Sequence, residues 1–219
     1  LLALAFTFSL RLYDGFTDKD FGRVIDDRGK QLYQPVRWLE GQWYYRDFSL
    51  CLYTPGATLW HALLFKLFGV KMSVMAANLA VVGAGIAILG YLIARVLMPA
   101  GWAVLAYLIC LTWNVFALNV GYASWYNCLL GLLTLYLILS YARDQRAWKL
   151  VVAGAALGLS LAFKVSVGAY QLVGVGLALA WRSAAGRPAV GWKRRLLSWE
   201  GLCAAASALL GLGLLWSAP

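Results

Sequence analysis

From Met72 onward the polar residues of this chain are confined to short islands between long apolar stretches. Residues 72–94 carry no charge, and that length suits the ~20 residues an α-helix needs to cross hydrocarbon. Val96 to Ala142 is again uncharged, which is too long for one helix and right for two. Pro99-Ala100-Gly101 interrupts its start, and Asn119-Val120-Gly121 is the best internal turn, because Asn and Gly tolerate positive φ. Residues 150–181 contain a single charge, Lys164, and read as one long tilted helix or as two short ones. A last apolar stretch covers about Leu197–Trp216. Residues 1–13 look like the end of another, so the sequence reads as part of a longer chain.

Residues 14–71 have a different pattern. In 30–40, Leu32, Val36 and Leu39 fall at i, i+4 and i+7 and lay one apolar stripe along a basic helix. Asp26 or Asp27 can cap its start, and Pro35 weakens its first turns. In 56–68, Pro55 suits a helix start and Gly69 a helix stop. Thirteen residues are short for a span, so this helix is predicted to lie in the interface.

Composition settles the class. The chain is 63% hydrophobic and only 13% charged, with a mean hydropathy of +0.72. Soluble domains run near 25% charged, so the expectation is an all-α, polytopic membrane bundle over residues 1–219. Four scattered cysteines (Cys51, Cys110, Cys128, Cys203) give no disulfide or zinc spacing and read as packing residues. The net charge of +10 is a topology signal rather than a nucleic-acid footprint. Its excess sits in two short connections, Arg143, Arg146 and Lys149, then Arg182, Arg187, Lys193, Arg194 and Arg195. Basic short loops mark the cytoplasmic side, with anionic lipid as their contact. For both to lie inside, an even number of spans must separate them, which favours two helices turning near Lys164–Gln171. The count becomes about seven spans, with loop 14–71 outside. The turn Asn119–Asn127 and Lys164 then share that outer face.

The acids cluster in that loop: Asp14, Asp18, Asp20, Asp26, Asp27, Glu40 and Asp47 all lie within residues 14–47. Carboxylates are costly in hydrocarbon, so this segment belongs in water or at the interface. Asp26-Asp27 reads either as a solvated helix cap or as a working carboxylate pair. A prenyltransferase magnesium motif would need a second acidic helix, and none is present. Trp43, Tyr44 and Tyr45 read as an aromatic belt, and Arg46-Asp47 as an ion pair. His61, the only histidine, reads as a residue of the interfacial helix. Lys164 either snorkels to the interface or meets an anion such as a lipid phosphate.

Taken in order, Asp27-Arg28-Gly29, Leu32-Tyr33, Leu39-Glu40-Gly41, Tyr45-Arg46-Asp47-Phe48, Pro55-Gly56 and Leu64-Phe65-Lys66-Leu67-Phe68-Gly69 form a series. It resembles the first outer loop of type C membrane glycosyltransferases (the GT-C fold), in the bacterial branch near protein mannosyltransferases and aminoarabinose transferases. Gly158-Leu159-Ser160-Leu161-Ala162-Phe163-Lys164 is similar to their Gly-Leu-hydrophobic-Lys segment. The resemblance covers roughly residues 1–181 and is tightest over 26–69. It implies transfer of a sugar from a polyprenyl-phosphate carrier to an acceptor at the outer face of a bacterial cytoplasmic membrane. It places the catalytic base on Asp27, with Asp26 as the alternative. Lys164, then Arg28 and Arg46, would serve the donor phosphate, and Asp47, Trp125, Tyr126 and Asn127 the sugar or acceptor. No cofactor is fixed by these residues, and a divalent cation is compatible with the acid pair. The chain departs from the family in three places: Arg28 stands where an acid is usual, Gly121–Asn127 holds neither acid nor His, and Ser49–Tyr53 lacks a lysine. The family's C-terminal half would lie beyond Pro219. The rival reading is a transporter or lipid-handling protein, whose working charges would sit within the spans.

Overall fold

In the computed structural model, residues 25–43, 45–47, 54–112 and 121–185 are described, and among them the chain is all helix and turn. The helices are α1 (Ile25–Leu39), α2 (Gly56–Phe68), α3 (Met72–Leu97), α4 (Ala100–Thr112), α5 (Ala123–Asp144), α6 (Trp148–Phe163) and α7 (Val165–Ala185). Two of them, α3 with 26 residues and α5 with 22, are long and apolar enough to cross a bilayer. At 1.5 Å per residue they reach roughly 39 and 33 Å, against a hydrocarbon core of about 30 Å. Shorter apolar stretches lie in α4, α6 and α7. Of the about seven spans expected, those at 1–13 and 197–216 fall outside the described residues.

Helix bounds follow from local chemistry. Pro55 takes the position before α2, and Gly69 ends it at φ 86 with its N–H on Phe65 O. Gly41 ends α1 in the same way at φ 84, and Gln42 N–H reaches back to Arg37 O. The α1 helix starts earlier than its apolar stripe predicts. Asp26 and Asp27 therefore lie within its first turn rather than ahead of it, where acids favour the helix dipole. Pro35 falls in the interior of α1 and is buried.

The bundle is built from hairpins. Tyr91 meets Tyr107 edge-on at 6.4 Å, so α4 runs back along α3. Thr134 bonds Ala153 O while Asn127 bonds Ser160, so α6 runs back along α5. At one end Tyr126 packs among Leu79, Val82 and Ile86 of α3, and at the other Arg143 donates to Val96 O at 2.5 Å, so α3 and α5 run parallel. Lys149 is not the loop charge that the sequence implies. It is buried in α6 and pairs with Asp144 at 2.6 Å, because the three-residue turn 145–147 folds it against the end of α5.

Polarity is arranged inside out. Thr58, His61, Asn127, Thr134, Lys149 and Ser160 are buried, while Val81, Leu105, Ile109, Leu135, Val151 and Leu177 are exposed. Only 28% of the apolar window of α5 is buried, unlike the core helix of a soluble domain. An apolar exterior around a hydrogen-bonded interior suits surroundings of hydrocarbon.

The stretch 150–181 is two helices, and they break at one residue. Lys164 is extended, at φ −159 and ψ 105. Gln171, the other end of the predicted turn, is inside α7. Asn127 bridges the break: its Nδ2 donates to Ser160 O at 3.0 Å, Ser160 Oγ at 2.9 Å and Lys164 O at 3.3 Å. Gln171 completes the knot, accepting from Ser160 Oγ at 2.6 Å and donating to Asn127 O at 2.9 Å. Close backbone approach does the rest. A Cβ on Gly168 would stand 2.6 Å from Leu161 N, and one on Gly56 would collide with Ala162 O.

Asn127→Leu keeps the volume but removes the bridging donor. It is expected to lower stability in detergent by about 1–3 kcal/mol, while Cys128→Leu at the exposed neighbouring position changes it little. Unfolding midpoints measure both, and an Asn127→Leu protein as stable as wild type would contradict the role given to this bridge.

Candidate functional site

The two loop helices dock on one end of the bundle. Thr58 of α2 donates to Gln34 Oε1 of α1 at 3.3 Å, and Gly121 N–H donates to Gln31 Oε1 at 2.7 Å. Thr54 Oγ1 reaches Leu161 O at 3.5 Å, which joins the approach to α2 with the last turn of α6. The ends of α3, α5 and α6 thus carry α1 and α2 as a cover.

Under that cover runs a polar chain. Trp60 Nε1 donates to Asn78 Oδ1 at 3.1 Å, and Asn78 Nδ2 donates to Tyr126 Oη at 2.5 Å. Tyr126 Oη stands 2.6 Å from His61 Nε2 and its ring stacks on Phe163 at 4.9 Å. His61 is 2% exposed, so burial holds its pKa down to about 4. It belongs to the short helix that the sequence predicts, on the face turned into the protein.

The residues singled out in the sequence fall into three sets. Lys164 stands at the helix break with Nζ donating to Ser124 Oγ at 3.1 Å, so the start of α5 and the end of α6 do meet there. Tyr126 and Asn127, the expected sugar or acceptor contacts, are 4% and 0% exposed, point inward and hold helices together. Trp125 packs on the Leu79–Ile86 cluster, and its Nε1 is buried with no partner among the described residues. Gln34 Nε2 and Asn127 Oδ1 are the other such buried atoms. Arg46 and Asp47 pair with each other at 2.9 Å in an exposed turn, where Asp47 also accepts the Trp43 N–H at 2.7 Å. The Arg46 hydrogen bond first, then the Trp43 amide, holds the Asp47 carboxyl below its usual range. Asp26, Asp27 and Arg28 belong to the first turns of α1, and their side chains lie outside the described residues. Among the described residues no three His, Cys, Asp or Glu side chains cluster as metal ligands.

Gln31, Gln34 and Asn78 are polar residues that sequence reasoning passed over, and His61, Ser160 and Gln171 were named there without a part in the site. One signal was present: Thr58, His61, Ala62 and Phe65 recur at helical spacing and form the buried face of α2. Comparison with family profiles, with curated proteins and with solved structures finds no match.

The His61 burial sets a pH dependence. The folded pKa near 4 lies below the ordinary 6.5, so between those values the unfolded chain binds more protons. Stability should therefore fall as pH drops from about 6.5 toward 4, by roughly 3 kcal/mol over the whole window. His61→Gln should flatten the melting-temperature profile over that window. A profile with the same slope in both proteins would contradict a buried, neutral His61.

Proposed function

We propose that this chain is the N-terminal membrane part of a GT-C-type glycosyltransferase that takes a sugar from a polyprenyl-phosphate donor. In this reading α1 and α2 lie at the outer face of a multi-pass bundle, with the basic turn around Arg143 and Arg146 on the cytoplasmic side. One observation carries it. The helix bearing Asp26 and Asp27 is bonded through Gln31 to Gly121, three residues before Ser124, and Ser124 is bonded to Lys164. The only lysine of the stretch 150–181 and the acidic helix of the loop are thus tied to the same few residues at one end of the bundle.

The reaction is a direct displacement at the anomeric carbon. The acceptor oxygen forms the new bond, the bond from that carbon to the phosphate oxygen breaks, and its electron pair leaves with the polyprenyl phosphate. Asp27 accepts the acceptor's proton, with Asp26 as the alternative base. The Lys164 ammonium offers the leaving phosphate a compact charge contact, with Arg28 as a second cation. Arg46 and Asp47, already satisfied by each other, serve the shape of their turn rather than the donor phosphate and the sugar. Trp125 is the aromatic surface nearest to Ser124 in sequence. Ion-coupled transport finds less support, since no carboxylate lies within α3 or within α5 ahead of its last residue, Asp144.

In the complete protein, Asp27→Asn should lower sugar transfer by about 10²–10⁴-fold while leaving insertion unchanged. Lys164→Met should weaken binding of a polyprenyl-phosphate sugar in detergent, with Lys164→Arg restoring part of it. Full transfer activity in both Asp27→Asn and Asp26→Asn would remove the pair from the mechanism, and equal donor affinity in Lys164→Met would reduce that lysine to an interfacial anchor.

A further inference from the structure

The helix α2 starts without a cap. The backbone N–H groups of Gly56, Ala57 and Thr58 come too early to reach an intrahelical carbonyl, and the first bond at this end runs from Leu59 N–H to Pro55 O. Pro55 has no side-chain acceptor, and no acid stands in the first turn. Free N–H groups and the positive end of the helix dipole together favour an anion there. Gly56 and Ala57 are only half-buried, so the turn can be reached. Water serves many such ends, and a second observation distinguishes this one.

That observation is Gln34 of α1. Its side chain is 5% exposed and lies against the same turn, where Oε1 accepts from Thr58 Oγ1 at 3.3 Å. Nε2, on the same amide carbon, is buried with no hydrogen-bond partner among the described residues. An unpaired buried donor is costly, and native proteins keep few of them. Charge around the turn has the matching sign. Gly56 presses on the backbone of Ala162, two residues before Lys164, whose ammonium donates to Ser124 Oγ at 3.1 Å. The carbonyls at the end of α6 are the opposing partial charges, and two of them are already engaged: Ser160 O by Asn127 Nδ2 and Leu161 O by Thr54 Oγ1.

We propose that the first turn of α2 and the Gln34 amide form a phosphate site. The phosphate oxygens accept from the N–H groups of the turn and from Gln34 Nε2, the donor that the protein leaves unspent. The proposal rests on the reading of this end of the bundle as the place where a lipid phosphate is handled, and it gives that phosphate neutral donors besides the Lys164 charge. It uses neither Asp27 nor the sugar.

Thermal unfolding of the purified chain in detergent reads stability and binding together, since a ligand raises the midpoint according to its affinity. The probes are undecaprenyl phosphate, undecaprenol and inorganic phosphate. Gln34→Leu loses the Thr58 bond and the unpaired donor together, so its midpoint without ligand should change little. Its affinity for undecaprenyl phosphate should fall about 10-fold, the worth of one hydrogen bond to a charged group. Ala57→Pro removes one N–H where the first turn of a helix accepts proline, and should weaken binding about as much, roughly 10-fold, whereas Ala57→Ser keeps the N–H and should bind like wild type. A large excess of inorganic phosphate should be needed to compete. Competition at equal concentration would keep the site and assign it to the free ion.

Wild-type affinity in Gln34→Leu or Ala57→Pro, or an equal loss of undecaprenol binding, would overturn the site, and Lys164→Met would then still decide the donor reading by itself. Failure of wild type to bind either phosphate would overturn both. Gln34-dependent binding in a complete protein that transfers no sugar would keep the site and sink the transferase reading. Should Ala57→Pro fail to fold, Gln34→Leu decides.

Discussion

A helix that stops inside an apolar bundle must find partners for its loosened backbone from within the protein, because hydrocarbon offers none. That constraint governs the junction at Lys164. The Asn127 carboxamide reaches carbonyls on both sides of the break, and Gln171 and Ser160 close the arrangement around it. Gly168 lets the first turn of α7 press against the backbone of α6. A single extended residue can then reverse the chain, and that residue is a lysine held at the surface end of the bundle rather than at its middle.

The rest of the candidate site depends on that junction. The last turn of α6, fixed by Asn127, is also the platform on which Gly56 and Thr54 seat the start of α2. The docking of α2 buries His61 against Tyr126 and brings α1 down through Thr58 and Gln34. Polar interactions that satisfy the interior thus also position the loop helices. An apolar exterior gives no direction by itself, since hydrocarbon would discriminate little between one Leu-lined face and another. Specific geometry at this end comes from about six buried polar side chains.

Much of the helical layout was legible in the sequence because it follows from local chemistry. Pro55 and Gly69 bracket α2, the uncharged run at 72–94 marks α3, and the isolated Lys164 marks a helix boundary. The candidate site was legible only in part. His61 lies on a helix of high apolar content, and nothing nearby in sequence announces Tyr126, its partner 65 residues away. Asn127 and Tyr126 read as outer-face residues because they follow a turn, yet helical register rotates them inward. Lys149 read as a topology charge, although its neutralising partner was only five residues upstream. In each case hydropathy gave the environment of a segment but not the direction in which one side chain within it points.

In the proposed topology the two ends of the bundle face opposite sides of a membrane, with α1, α2 and Lys164 together on the outer side. Single cysteines at Lys71, beside the end of α2, and at Arg146, in the turn after α5, test it most directly. Both positions are exposed, and the four native cysteines would first be replaced by serine. In intact cells a membrane-impermeant thiol reagent should label Lys71→Cys and should reach Arg146→Cys only after the membrane is opened. Equal labelling of the two in intact cells, or the reverse order, would contradict the account.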